Sequence, residues 1–367
     1  MTNYSSWPLG GMLSYVRNIL PSLESIVERH GDSMRLYGCI AGEAKDTRSY
    51  ISLTEVKVGR KVIPNSLRFG AAIIKNKNLF KDIDVVYSHT ESATIALRLI
   101  NRKCKIVHHQ HGLSYKEAKD VERFHNAERW LAQKLADKVL VVASDAATKE
   151  HGLEMGAPGK YYAIGSPIPF SRIRQIVTRR HDGRNGLRFI YTGRLNSHKN
   201  VRLAIRAFSA FQATCTDSTF TIIGDGPDRQ KLEDLATNIC AEGTVSFLGR
   251  QPEELIYRNL ANADVMLFPS KGEGVSLSVL EALAAGVPVV CLDVVGLRDL
   301  IVDGETGCIC KVDTPEEFAK QMERASQDHR QMSAGCIKFA SRYAASAIAE
   351  QIASHLGVEV IERQPDQ

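Results

Sequence analysis

The chain has 367 residues, of which 44% are hydrophobic and 24% charged, and its 47 Lys and Arg against 42 Asp and Glu leave a formal charge of +5. That length predicts two or three domains with sizeable cores, and so mild and dispersed a basic excess suits an anionic ligand or an acidic membrane face while excluding nucleic acid as the main partner. The eight cysteines show neither a CxxC pair nor a Cys/His spacing of the zinc type, so the chain reads as a reduced, cytoplasmic protein.

In chain order, the opening MTNYSSWPLGG lacks the basic and apolar regions of a signal peptide. Short β-branched runs then alternate with longer helical patterns. Strands are predicted over Met34–Ile40, Ile51–Val58, Asp84–Ser88, Lys105–His109, Lys138–Ala143 and Tyr161–Ile164. Helices are predicted over Met12–Arg29, Ser66–Lys75, Ser92–Asn101, Glu117–Leu135 and Ala146–His151. Gly10-Gly11 opens the first helix as a strand-to-helix turn does, yet no apolar run precedes it. The expectation is a first strand that lies upstream of Met1 or is missing.

The polar stretch Ser171–Gly186 reads as a linker. A second series follows, with strands over Leu187–Tyr191, Thr219–Ile223, Val245–Leu248, Val265–Phe268, Val289–Leu292 and Cys308–Cys310. Its helices start near Asn200, Pro227, Glu253, Ser276, Leu297 and Pro315. Two such series predict an α/β protein with two parallel sheets wrapped by helices. The expected domains are 1–170, a linker at 171–186, 187–340, and a C-terminal helix with a frayed tail at 341–367. The most apolar stretch, Val275 to Leu297, contains Glu281, Pro288 and Asp293 and fails as a membrane span, so any membrane contact is peripheral.

Three segments carry chemistry. In Pro269–Pro288 a strand runs through a turn into a helix, and Ser276 stands at the N-cap. The free amides of Val275, Ser276 and Leu277, beside Gly274, make an anion site. Glu281 lies inside that helix among apolar residues, where a carboxylate needs a partner. A ribose diol, with two donors, supplies one. Glu273 sits in the preceding loop; taken alone, it also reads as a solvated loop charge. The second segment ends a strand at Gly193 and then presents Arg194 and Lys199, a planar fork and a point charge suited to a diphosphate. The next unit's Gly224 and Gly226 form a GxG turn, weak as a dinucleotide fingerprint. The third segment, Ile106–Leu113, carries His108, His109 and His111 to the carboxyl end of a strand. His109 and His111 alternate with no nearby carboxylate, so no metal set is visible. His111, before Gly112, reads as a sugar contact. Asp82-Ile-Asp84 matches the DxD of metal-dependent sugar transfer, but at the entry end of its strand.

These residues resemble the retaining GT-B glycosyltransferases of family 4 (group 1), with two Rossmann-like domains facing across a cleft. Glu273 and Glu281 match the family's E-x7-E spacing, followed by Ala282, Gly286 and Pro288. Gly193-Arg194 and Lys199-Asn200 match its GR…KN segment. Gly10-Gly11 resembles the acceptor-side glycine loop, and His111-Gly112 the family's HG. Val275 and Ser276 depart from the usual Phe-Gly, and Ser166–Pro169 replaces the usual Asn-Gly of the domain junction.

The resemblance implies a nucleotide-diphosphate sugar donor and transfer of a hexose to a hydroxyl acceptor with retention and without metal or other cofactor. Arg194 and Lys199 bind the diphosphate, Glu281 the ribose and Glu273 the donor sugar, and His111 lies near the transferred sugar. Glu273, Arg194, Lys199 and His111 are the implied catalytic set. Gly193, Gly274, Val275, Ser276, Leu277, Gly224 and Gly226 join Glu281 around the donor. The final helices, Gln331 to Leu356, cross back over the first domain. Surface polysaccharide assembly in bacteria is the expected setting, with a glycan or lipid-linked acceptor at the inner membrane face. The rival readings are a sugar-nucleotide epimerase on the same fold and a non-catalytic sugar-nucleotide-binding subunit.

Overall fold

In a computed structural model, the chain is described at residues 11–29, 31–32, 36–38, 50–52, 65–111, 119–143, 145–177 and 186–358. It divides into two compact units, Met1–Gly165 with Ile348–Gln367, and Ser166–Ala347.

The first unit opens with α1 (Gly11–Arg29), β1 (Leu36–Gly38), β2 (Tyr50–Ser52) and α2 (Asn65–Lys75). β3 (Val85–Ser88), α3 (Glu91–Ile100), β4 (Lys105–Gln110), α4 (Lys119–Leu135), β5 (Lys138–Val142), α5 (Asp145–Glu154) and β6 (Tyr161–Ile164) follow. β3 to β6 form one parallel sheet in sequence order, and β1 pairs with β2 in a separate parallel ladder. The run of β-branched residues in β4 and β5 suits strands covered on both faces: Ile106, Val107, Val139, Leu140 and Val141 are fully buried. Gly10 and the residues before it, where a first strand would stand, lie outside the described residues, as does Gly112.

The second unit contains α6 (Phe170–Val177), β7 (Arg188–Thr192), α7 (Val201–Gln212), β8 (Thr219–Ile223), α8 (Arg229–Ile239), β9 (Val245–Gly249) and α9 (Glu253–Asn262). It continues through β10 (Val265–Phe268), α10 (Leu277–Ala284), β11 (Val289–Leu292), β12 (Gly307–Cys310) and α11 (Pro315–Ala340). Its six parallel strands run in the order β12-β11-β10-β7-β8-β9. The chain winds outward from β7 in one direction and from β10 in the other. The β7–β10 neighbours therefore mark the switch point, outside whose carboxyl ends open α/β sheets bind ligands.

α12 (Ala345–Leu356) follows, and its part from Ile348 onward belongs to the first unit. Ile348, Ala349, Ile352 and Ala353 are buried there, His355 packs on Tyr162 with ring centroids 4.5 Å apart, and Lys105 Nζ donates to the Leu356 carbonyl at 3.4 Å.

Four expectations are corrected. Residues 171–177, read as linker, belong to α6, whose Ile173 and Val177 are buried in the second core; its amphipathic spacing was masked by the arginines between. The helix expected at Leu297 is a set of hydrogen-bonded turns, confined between Gly296 and Gly304, both at positive φ. The helix expected at Pro227 starts at Arg229, with Asp228 at the N-cap. Of the returning helices, residues 331–347 stay with the second unit and only α12 from Ile348 returns.

Candidate active site

At the switch point two βα loops are tied together. The β7 loop turns through a 3-10 segment, Ser197–Lys199, capped by the Asn196 side chain, which accepts from the Lys199 amide at 3.1 Å. Asn200 then takes a left-handed conformation at φ 51°, a shape Asn tolerates better than most residues. The loop after β10 is bound to this segment by Lys271 N donating to His198 O at 3.0 Å and by a 2.7 Å contact between His198 Nε2 and Gly272 O.

These ties bring Lys199 Nζ into an ion pair with Glu273 Oε1, beneath which the Phe268 ring lies 5.3 Å from the ammonium. Both charged side chains are largely shielded, at 21% and 12% exposure, so the pair is less screened than a surface one. Tyr191, buried below, donates to the Arg194 carbonyl at 3.0 Å. Burial and the nearby Glu273 charge push its hydroxyl well above the usual range. Arg194 itself is exposed and makes no ion pair among the described residues.

Gly224 and Gly226, read as donor-side glycines, have a different local cause. A Cβ on Gly224 would collide with the Gly193 carbonyl, and one on Gly226 with the Leu195 carbonyl. The two loops are stitched by Gly193 N to Ile223 O at 3.0 Å and Leu195 N to Asp225 O at 2.9 Å. Bare backbone is required there by the neighbouring loop.

α10 starts after Ser276, whose backbone is extended and whose side chain makes no capping bond. The amides of its first turn are therefore not consumed by that side chain. Glu281 lies on the half-buried side of α10, while Val279, Leu280, Ala282, Leu283 and Ala284 are buried. Tyr257, from α9, donates to Glu281 Oε1 at 3.3 Å. Burial pushes the Glu281 carboxyl up to about 7; the Tyr257 bond opposes this and the Glu253 charge adds to it. Neither Tyr257 nor Gly296 was singled out in the sequence. A Cβ on Gly296, at φ +87°, would strike the carbonyls of Glu273 and Gly274. Only folding brings these residues beside the motif.

In the first unit, His111 follows β4, and Gly11 is the first residue of α1. His111 contacts His89 through Nε2 and Nδ1 at 3.0 Å, and burial, with the His108 charge, lowers it to about 3. His108 lies apart from them, its Nδ1 2.9 Å from Thr94 Oγ1. Asp82 and Asp84 precede β3, at its amino end.

Two family models tile the chain. "Glycosyltransferase Family 4" matches residues 10–172 and "Glycosyl transferases group 1" matches residues 179–343. The chain belongs to the GT-B glycosyltransferases of family 4, group 1. This glycosyltransferase is 27% identical over 272 residues to N-acetyl-alpha-D-glucosaminyl L-malate synthase of Bacillus anthracis, across 71% of its own length and 70% of that protein. It is also 27% identical over 262 residues to an uncharacterized glycosyltransferase of Methanocaldococcus jannaschii, covering 66% of each chain. Among solved structures, Anabaena Alr3699/HepE in complex with UDP superposes with a TM-score of 0.72 at 18% identity, over 97% of this chain and 98% of that one. The lipopolysaccharide outer core galactosyltransferase WaaB gives 0.70 at 19%, over 96% and 98%. At such identities these two likenesses establish the fold. No helix among the described residues is long and apolar enough to cross a membrane.

Proposed function

We propose that this glycosyltransferase moves a hexose from a nucleoside diphosphate sugar to a hydroxyl acceptor, with retention of anomeric configuration and without a metal at the diphosphate. The observation that carries the reading is the Lys199–Glu273 ion pair, held where the loops after β7 and β10 are tied together at the switch point of the second sheet. Lys199 and Arg194 bind the donor diphosphate and, with the α10 amides, stabilise the charge that grows on it as the glycosidic bond breaks. Glu281 accepts from the ribose hydroxyls. Glu273 holds Lys199 in place and faces the donor sugar. The acceptor oxygen attacks on the face the diphosphate leaves, and a leaving-group oxygen takes its proton.

UDP is the first nucleotide to try, because a fold neighbour is described in complex with it. We place the reaction in bacterial surface polysaccharide assembly, at the cytoplasmic face of the membrane, with a glycan or lipid-linked acceptor. The relatives that support this include WaaB and an exopolysaccharide phosphotransferase of Streptomyces coelicolor, 22% of whose length is matched.

The test is a panel of nucleotide sugars, screened first by thermal shift and then by transfer and donor hydrolysis in chelator-treated protein. The expected result is one preferred donor, turnover without added metal, and a product of unchanged anomeric configuration by NMR. Free epimerised nucleotide, or binding with neither transfer nor hydrolysis, would overturn it.

A further inference from the structure

We infer that His89, His109 and His111 form a binding site for one divalent transition-metal ion of the zinc class. The placement follows from register. Ser88 pairs with His108 across β3 and β4, which sets His89, just past β3, level with His109. Side chains alternate along a strand, so His109 and His111 share a face and His108 takes the other. The three rings are in mutual contact, with centroids 4.9, 5.2 and 4.4 Å apart. Tyr15 of α1 packs on all three. One nitrogen from each histidine lies within 4.8 Å of the other two.

Two details favour an ion over a packed aromatic cluster. Zinc–nitrogen bonds of about 2.0–2.1 Å in tetrahedral geometry hold ligand nitrogens roughly 3.3–3.4 Å apart. His89 Nδ1 and His111 Nε2 stand 3.0 Å apart in a ring-to-ring hydrogen bond that an ion would replace, and with one nitrogen of each ring within 4.8 Å of the others only small ring movements separate this cluster from that spacing. In addition, His109 Nε2 is buried with no hydrogen-bond partner among the described residues. The other nitrogen of that ring, Nδ1, is 2.6 Å from Tyr87 Oη. With Nδ1 protonated and donating to the tyrosine, Nε2 presents a lone pair. This is the outer contact that fixes the tautomer of a metal-binding histidine. Three nitrogen ligands leave one position for water or a ligand hydroxyl. The sequence offered His108, His109 and His111 as possible ligands without a full site; the structure sets His108 apart and brings in His89 from just past β3.

This inference does not rest on the donor reading. Full-length protein, stripped with chelator, is titrated with Zn²⁺ and then with Co²⁺. The expected result is one equivalent bound per chain, and a cobalt spectrum of nitrogen and oxygen ligation without thiolate charge-transfer absorption. His109→Ala and His89→Ala should each weaken Zn²⁺ at least ~100-fold, and Tyr87→Phe roughly tenfold, the scale of outer-contact losses. UDP binding by the His109→Ala protein should be unchanged, which separates this site from the donor site, and persistence of the first unit's calorimetric transition reports that the unit holding the site is folded. Absence of stoichiometric binding in the wild type, equal affinity in the histidine variants, or a thiolate signature would each overturn the assignment. If the variants do not fold, the wild-type stoichiometry and cobalt spectrum still decide.

Discussion

Lys199 and Glu273 depend on each other. Removing one partner of a shielded ion pair leaves the other charge without compensation. Lys199→Ala should therefore lower kcat by about 100- to 1000-fold, the scale for loss of a preorganised charge at a leaving group. Glu273→Ala should lower it similarly, because Lys199 loses its anchor. Circular dichroism and melting should show both proteins folded; near-normal turnover in both would sink the site assignment. Glu281 gives a different signal. Between the ordinary carboxylate value and about 7, the folded protein keeps a proton that the unfolded chain has released. Stability of the free protein therefore falls as pH rises through that window. Ribose hydroxyls donate to the ionised form, so UDP affinity should rise up to pH about 7 and then level. Calorimetry in buffers of different ionisation enthalpy should record proton release on binding. Glu281→Gln should remove both slopes, and a UDP affinity independent of pH in the wild type would refute the role. Glu281 was legible in the sequence because it interrupts an apolar helix. Its partner Tyr257 was not, because it arrives from α9 with no signature beyond amphipathic spacing.

At the level of elements, the site depends on loops held by bare backbone. Gly296 rests against the carbonyls of Glu273 and Gly274, so Gly296→Ala should displace the Glu273 loop as well as strain its own φ. Gly243, at φ +74° with nothing within 4 Å of its would-be Cβ, is the matched control. Both substitutions should destabilise the fold by about 1 kcal/mol or somewhat more, but only Gly296→Ala should cut kcat/KM tenfold or more. Equal kinetic effects of the two, or none, would mean that the contact does not position Glu273. Strands were the most readable elements, since buried parallel strands are short β-branched runs. α6 escaped because Arg172 and Arg174 make its segment look like a solvated linker, while Ile173 and Val177 are buried. The failed helix at Leu297 shows the opposite: helical composition without room between two glycines of positive φ.

For the whole molecule, the two units differ in how they are built from the chain. The second is one continuous segment, whereas the first needs Ile348–Gln367 to be complete. Calorimetry of the full chain should resolve two transitions. UDP at one hundred times its dissociation constant should stabilise the binding unit by about 2.7 kcal/mol, and only the transition of the second unit should move. Deleting residues 348–367 uncovers the first unit where Ile348, Ala349, Ile352 and Ala353 pack. It should lower the first unit's transition and leave UDP affinity unchanged. Loss of UDP binding on that deletion would show that the units do not fold separately.

The same return of α12 bears on how the chain is made. Synthesis runs from the amino end, so the unit begun first is the one that must wait for α12 to emerge. The second unit, begun later, holds all its parts earlier and can fold while the ribosome is still at work. Until α12 emerges, the first unit lacks side chains that are buried in it. Translation paused before residue 348 should therefore yield chains with a folded second unit and an aggregation-prone amino half.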